Sequence, residues 1–440
     1  MPEILNLKTT WGRDPLPSAG DGQLAYLLLD VTATPPAETQ PASLPLNLCL
    51  VLDHSGSMSG PKLAGLKEAV SKVIDELTPR DTLSIVVFDE HAKVVVPSTL
   101  VSDKESIRAA VMGIREAGGT QMSSGLQSGL DEVKPGLHEG TVSRILLLTD
   151  GQTWGDAAEC ERLAAEAGAA GIPISAFGVG ADEDWSVGLL DKIAHASNGQ
   201  SDYIAKPADM LDSFRGTVQT MQNTAVKNAV LTLHLTQGVS ARKLYRLNPM
   251  IKQMDLPQSA TGSVEVALGD LQRDQATSVL AELLVPPRLP GQYRVAQVAV
   301  RASSGGEAEN AEVSQDLLLS FEDGARTQGD PRVMNIVEKA TAFRLQTRAL
   351  QEAEVGNTVA AGRNLRSAAT RLLNLGETDL AASAENEAQK LEAGGQMSSA
   401  GTKKLTFATR KLALDDVRAA GGEVAAPSAQ PPGVTTGPEV

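Results

Sequence analysis

Three short segments of this chain carry side chains whose types and spacing point to chemistry. The first is DHSGSMSG, in which Asp53, Ser55 and Ser57 alternate with other residues at the end of an apolar run. The second is GGTQMSSG, which presents Thr120 behind Gly118 and Gly119. The third is RILLLTDG, which ends on Asp150 and turns at Gly151. Together Asp53, Ser55, Ser57, Thr120 and Asp150 offer two carboxylates and three hydroxyls, all of them oxygen donors. An oxygen-only set of this kind suits a hard divalent cation, Mg²⁺ in the first place, with Mn²⁺ or Ca²⁺ as alternatives. The low donor charge leaves such an ion electrophilic, with a coordination position where a carboxylate of another molecule can replace water. Each residue also has a plainer reading, since Asp, Ser and Thr cap helices and fill turns. Against that, all of them stand at or just beyond strand ends.

Bringing the segments to one place requires strands that end together. From Leu46 to about Asn223 apolar runs alternate with helical patterns, the signature of a parallel sheet covered by helices on both faces. The predicted strands are Leu46 to Leu52, Thr82 to Phe88, Ala92 to Val96, Arg144 to Leu148, Ile172 to Val179 and Ser201 to Ile204. Helices are predicted over Lys62 to Leu77, Ser102 to Ile114, Met122 to Val133, Asp156 to Ala170, Glu183 to Ala196 and Pro207 to Met221. Open α/β sheets bind ligands beyond the carboxyl ends of their strands, which is where Asp53, Thr120 and Asp150 fall.

From Ala225 to Glu322 the period changes to short alternating runs separated by Gly, Pro and Asn, which predicts an antiparallel β-sandwich. The early run Gln23 to Ala33 is predicted to pair with it, so that the α/β domain is inserted within a β domain. Asp330 to about Leu414 is helical again, over Arg332 to Glu354, Val359 to Leu375, Asp379 to Leu391 and Ser398 to Leu412. It reads as an antiparallel bundle with a looser likeness to helical-hairpin repeats. The expected division is therefore an N-terminal segment and sandwich strand at 1–43, the α/β domain at 44–223, the sandwich at 224–324, a helical domain at 325–415 and a disordered tail at 416–440.

Composition narrows the function classes. Thirty-nine Lys and Arg against 54 Asp and Glu give a formal net charge of -15, which argues against binding nucleic acid or an anionic membrane. The dense apolar run at Leu44 to Leu52 falls far short of the roughly 20 residues that span a bilayer. The N-terminus lacks a basic segment followed by an apolar one, so the expected location is cytoplasmic. Cys49 and Cys160 read as small buried side chains, and the five His residues never occur at zinc-ligand spacing.

In that order and in those strand contexts, Asp53, Ser55, Ser57, Thr120 and Asp150 resemble the metal-ion-dependent adhesion site of von Willebrand factor type A domains. The resemblance covers about Leu46 to Met221. It implies a Rossmann-like sheet with one short antiparallel edge strand, for which Ala92 to Val96 fits. It also implies Ser55, Ser57 and Thr120 as direct ligands of the ion, with Asp53 and Asp150 bound directly or through water. The whole layout resembles bacterial type A proteins labelled as calcium-activated channel homologues, and in outline the inter-alpha-trypsin-inhibitor heavy chains. A chain with no membrane span conducts nothing by itself.

The function expected is a non-enzymatic interaction module whose ion captures a partner's Asp, Glu or C-terminal carboxylate. Bacterial relatives suggest an adaptor or co-chaperone beside a MoxR-type AAA+ ATPase. One alternative is a self-assembling scaffold in which a tail carboxylate, Glu423 or Glu439, reaches the ion of another copy. A serine hydrolase using Ser55 or Ser57 with His54 as base is disfavoured, because no oriented base–carboxylate pair can be read. Among the remaining residues, Ser59, Ser123, Ser124, Asp156 and Asp182 read as helix caps. His54 is expected to point into the neighbouring helix layer, and Trp154 to pack against the sheet edge before serving a partner surface. The basic stretch KKLTFATRKL is expected to be a solvated helix face pairing with nearby carboxylates.

Overall fold

The structure is a computed structural model and describes residues 4–18, 20–34, 44–138, 140–153, 155–180, 185–256, 262–303, 310–326 and 328–413. Trp154, Asp182, the linker residues 35–43 and the tail with Glu423 and Glu439 lie outside the described residues.

The chain begins with β1 (Leu5–Trp11), β2 (Leu16–Pro17) and β3 (Gln23–Ala33). The α/β domain follows as β4 (Leu46–Asp53), α1 (Pro61–Glu76), β5 (Thr82–Phe88), β6 (Ala92–Leu100), α2 (Lys104–Met112), α3 (Met122–Val133), β7 (Val142–Thr149), α4 (Ala157–Ala169), β8 (Ile174–Val179), α5 (Val187–Ala196), β9 (Gln200–Ile204) and α6 (Met210–Gln222). The sandwich resumes with β10 (Thr224–Leu235), β11 (Ser240–Arg246), β12 (Lys252–Met254), β13 (Ser263–Gln272), β14 (Thr277–Val285), β15 (Gly291–Ser303) and β16 (Asn310–Glu322). Four helices close the described chain: α7 (Pro331–Glu354), α8 (Thr358–Asn374), α9 (Thr378–Glu392) and α10 (Ser399–Lys411).

The central sheet has the order β6-β5-β4-β7-β8-β9, parallel except for the antiparallel edge strand β6. Strand β4 is buried along its whole length, and its side chains divide by the period of two that a pleated strand imposes. Leu46, Leu48, Leu50 and Leu52 enter the layer that holds α1 and α6, while Cys49 and Val51 enter the layer of α3, α4 and α5. The connections leave β4 toward β5 on one side and β7 toward β8 on the other, so strand order reverses between β4 and β7. Asp53 and Asp150 lie at that switch point.

The sandwich is two five-stranded sheets, β1-β3-β14-β11-β12 and β13-β10-β15-β16-β2. The expected partner of the early strand is now explicit: β3 pairs antiparallel with β14 from Thr277↔Val31 to Val285↔Gln23. The α/β domain is thus inserted in the sandwich, and the helical domain follows it. Leu27, Leu29 and Val31 of β3 fill the sandwich core, whereas Leu28 faces the other way, onto a cluster with Tyr245, Val333 and Ile336. The helical domain covers this second face, which explains why the run YLLLDV is apolar on both sides.

Candidate functional site

Asp53 is the last residue of β4 and is fully buried, with Ser55 and Asp150 at 2% and 1% exposure beside it. Its carboxylate is held from two directions: Ser55 N donates to Oδ1 at 2.9 Å, and Thr149 Oγ1 of β7 donates to Oδ2 at 2.6 Å. Burial pushes the Asp53 carboxyl above its ordinary range; the hydrogen bonds from Ser55 and Thr149 oppose this, and the charge of Asp150 adds to it. The hydroxyls continue the chain of contacts, with Ser55 Oγ 3.0 Å from Ser57 Oγ and Ser57 Oγ donating to Asp150 Oδ1 at 2.7 Å. Ser57 is exposed and Thr120 is half-buried, so the carboxylates form the floor of a cup and the hydroxyls its rim.

Thr120 reaches the cup because its loop is tied to the first one by backbone. Gly56 N donates to Gly118 O at 3.2 Å and Ala117 N to His54 O at 2.9 Å. Gly118 has φ of 45°, and a Cβ there would sit 3.1 Å from Asp89 Oδ2, so glycine meets both a backbone and a packing requirement. A Cβ on Gly151 would lie 3.5 Å from Thr120 Oγ1 and 3.9 Å from Ser57 Oγ. The two hydroxyls therefore face the same stretch of backbone across a space that glycine leaves clear. All five sequence-predicted residues meet at this edge, and their donors are oxygens throughout, which fits a hard divalent cation. Among the described residues no group of three or more His, Cys, Asp and Glu offers a different kind of metal site.

Lys62, the second residue of α1, carries no signal of a role in its sequence context. Its Nζ lies 2.6 Å from Asp150 Oδ2 and donates to Ser57 O at 3.3 Å; the Asp150 side chain is fully buried and that of Lys62 is 17% exposed. The oxygen cup thus accepts a positive charge directly on one of its carboxylates. Thr149 was likewise missed, because a threonine ending a buried strand looks like any β-branched core residue.

Several expected roles are corrected. Asp156 stands at the N-cap of α4 as expected, but its side chain caps no backbone N–H of that helix; its Oδ2 accepts from Ser123 N at 2.7 Å, at the start of α3. Thr153 Oγ1 accepts from Met122 N at 3.0 Å, so the third loop caps α3 in trans. Ser124 donates its hydroxyl back to Gln121 O and caps nothing, and Gly60 rather than Ser59 holds the N-cap of α1. His54 turns away from the serines: Nδ1 lies 2.6 Å from Arg115 O and Nε2 is 4.0 Å from Asp89 Oδ2. Ser57 is engaged by a carboxylate instead of an imidazole. Burial pushes the Cys49 thiol up to about 12 and the Cys160 thiol up as well, as suits two side chains of the core.

The basic stretch near the C-terminus is not a solvated face. Lys403 is 2% exposed and lies 4.3 Å from the centre of the Trp185 ring, and Phe407 joins Trp185 and Tyr203 with centroid distances of 6.2 and 5.6 Å. Arg410 pairs with Asp191 and Lys411 with Asp202, both carboxylates of the α/β domain. The expected ion pairs exist, but they dock α10 onto another domain.

Comparison with known proteins places this geometry. Residues 47–220 match the von Willebrand factor type A domain, and residues 331–415 match the Sll0103-like, C-terminal alpha-helical domain. The protein sll0103 of Synechocystis sp. is 32% identical over 391 residues, 87% of this chain and 91% of that protein. YfbK of Escherichia coli is 28% identical over 217 residues, which cover 48% of this chain and 37% of YfbK. Among solved structures, the von Willebrand factor type A protein from Catenulispora acidiphila shares the fold over 93% of this chain and 97% of its own, with a TM-score of 0.73 at 18% identity. The ArnB paralog VWA2 from Sulfolobus acidocaldarius aligns over 93% of this chain and 99% of its own, with a TM-score of 0.54 at 14% identity. No helix among the described residues is long and apolar enough to cross a membrane. With the type A domain, the helical domain and a full-length relative all matched, the chain belongs to the Sll0103-like family of von Willebrand factor type A domain proteins.

Proposed function

We propose that this protein is a non-enzymatic interaction module that holds a divalent cation in its oxygen cup and uses it to capture a carboxylate of a protein partner. Ser55, Ser57 and Thr120 would contribute hydroxyl ligands, and Asp53 and Asp150 would ligate directly or through water. Mg²⁺ is the proposed ion, with Mn²⁺ and Ca²⁺ as alternatives. When bound, it supplies an electrophilic position that an outside carboxylate can fill. Type A domains are generally interaction or adhesion modules that commonly bind a divalent metal, which supports the reading.

The observation that carries it is a deficit of positive charge. Two buried carboxylates, Asp53 and Asp150, share one cluster of hydroxyls, and among the described residues Lys62 is the cation in contact with it. Buried carboxylates are stable only when paired or coordinated, and a divalent ion would reverse the sign of the site. The partner is proposed to be one component of a MoxR-type AAA+ ATPase system, with this chain as adaptor or co-chaperone, by analogy with bacterial type A proteins.

The test is calorimetric titration of Mg²⁺ into the full chain and its Asp150→Ala variant, followed by capture of partners from the native cell with Mg²⁺ or with chelator. Asp150→Ala is expected to abolish measurable Mg²⁺ binding and Mg²⁺-dependent capture while keeping the far-UV spectrum. Equal capture in chelator would sink the proposal. A Mg²⁺-dependent rise in sedimenting mass without a partner would favour self-assembly instead, and covalent labelling of Ser55 or Ser57 by a serine-directed phosphonate would favour hydrolysis.

A further inference from the structure

At the end of the sheet opposite the oxygen cup, the α/β domain, the sandwich and the helical domain enclose a cleft of about 740 Å³. Residues Asn198 to Gln200, which precede and open β9, form one wall, and Pro249 to Asp255, the turn after β11 together with β12, form another. A recess of about 120 Å³ shares Arg246 and Gly269 with the cleft and adds Arg144 and Asp270.

The carboxylates of the cleft are largely spoken for. Asp191 is bound by Arg410, Asp255 lies 2.6 Å from His195, and Glu161 is 2.8 Å from Lys192. Three cations are left without such partners. Arg144 is 8% exposed, and its buried Nε has no hydrogen-bond partner. Arg246 donates from Nε to Asn248 O at 2.9 Å and from Nη1 to Leu268 O at 2.6 Å, both neutral carbonyls. The side chain of Lys252 makes no hydrogen bond or ion pair among the described residues. Asp270 is the carboxylate that acts on both guanidiniums. Asp191 and Asp255 lie near Lys252 and Glu265 also lines the cleft, so what marks the recess, in a chain of net charge -15, is three recessed cations whose side chains make no direct contact with a carboxylate among the described residues.

Burial accordingly drives Arg144 down, Arg246 down to about 10 and Lys252 down to about 8. The charges facing Lys252 are Arg246 and Arg410, which lower it further, and Asp255 and Asp191, which oppose that. Buried cations without counter-charge are unfavourable, and an anion that enters the recess relieves them. Two planar guanidiniums and an ammonium match the oxygens of a phosphate better than one carboxylate, because a phosphate takes several charge-assisted hydrogen bonds at once. The cleft is far larger than inorganic phosphate, and Met250, Ile251 and Phe343 give it an apolar wall.

We propose that this cleft binds a small organic phosphate, with the phosphate group on Arg144, Arg246 and Lys252 and the body against Ile251 and Phe343. The site is independent of the cation reading, and an occupant would touch all three domains and fix their relative placement.

The test is calorimetric titration of the full chain at pH 7 in metal-free buffer with ATP, AMP, pyrophosphate, inorganic phosphate and citrate. ATP or AMP is expected to bind more tightly than inorganic phosphate and citrate. Lys252→Gln and Arg144→Met are each expected to weaken it by about tenfold or more, the usual scale of a charge-assisted contact. Lys252→Gln removes no hydrogen bond, so a melting temperature at or above the wild-type value checks its folding. At pH 8, where Lys252 is only partly protonated, binding is expected to take up protons, seen as heats that change with buffer ionisation enthalpy. Asp150→Ala is expected to bind ATP like the wild type. The proposal is overturned if neither nucleotide binds, if both cleft variants bind as tightly as wild type, if citrate binds as tightly as the nucleotides, or if Asp150→Ala abolishes the binding.

Discussion

Lys62 is the residue on which the chemistry of the cup turns. Its ammonium sits on the carboxylate of Asp150, one of the groups that would hold the cation, so lysine and cation would compete for that negative charge. Lys62→Met is expected to tighten Mg²⁺ binding by roughly tenfold, the scale of one partly buried charge contact. The same variant leaves Asp150 buried and unpaired when no ion is present, and breaking a buried pair costs about 3–5 kcal/mol. Thermal denaturation should therefore show a lower melting temperature without Mg²⁺ and a larger Mg²⁺-induced rise than in the wild type. A variant whose melting temperature and Mg²⁺ affinity both match the wild type would show that Lys62 contributes nothing to the site. Asp53 plays a different part: both its oxygens already accept hydrogen bonds, from Ser55 and Thr149, so it fixes the loop as well as charging the cup.

The element that sets the depth of the cup is α3. Its Gly125 and Gly129 lie one turn apart, and a Cβ on them would come within 2.7 Å of Phe88 Cδ1 and 2.5 Å of Val51 Cγ2. The helix therefore rides on β4 and β5 at backbone distance, and its N-terminal loop brings Thr120 over the end of β4. Gly129→Ala gains about 1 kcal/mol of helix propensity, but overpacking a dense core costs typically about 1–3 kcal/mol. The expected net result is a lower melting temperature together with weaker Mg²⁺ binding, because α3 is pushed outward with Thr120. A stabilised variant with unchanged Mg²⁺ affinity would show that the spacing is not required. The trans-capping of α3 by Thr153 and Asp156 serves the same end, since it ties the Thr120 loop to the Asp150 loop.

On the scale of the whole molecule, the inserted α/β domain is joined to the sandwich by the two chain crossings and clasped again by α10. Ile251 N of the sandwich donates to Arg410 O at 2.7 Å, while the Arg410 side chain binds Asp191 of the α/β domain. Phe407 is buried in the core of that same domain. Phe407→Ala removes a buried aromatic, worth about 3–5 kcal/mol. Limited proteolysis should then cut near α10 faster than in the wild type while the α/β domain stays resistant. An unchanged cleavage pattern would mean that the clasp is not needed for docking. The arrangement also leaves the oxygen cup and the cationic cleft at opposite ends of one sheet, so events at either can be measured without touching the other.

The sequence by itself determined the elements of the α/β domain and the segments that carry the cup. Burial on one face, both faces or one stripe is written into local periodicity, and strand ends are marked by Asp53, Asp150 and the glycines beside them. The inserted layout was legible for the same reason, through the change of period at Ala225. Strand β11 escaped notice because Arg242, Lys243 and Arg246 interrupt its alternation and a register shift between Ala241 and Lys243 breaks the period. Strand β12 is three residues long, too short for any period. Only the tertiary structure decided which side chain meets which charge. That Lys62 reaches Asp150, that Asp156 caps a helix other than its own, that α10 buries Lys403 and that Arg144, Arg246 and Lys252 come to one recess all depend on how helices and domains are set against one another. Such contacts join residues far apart in the chain, and no local pattern of hydrophobicity encodes the distance between them.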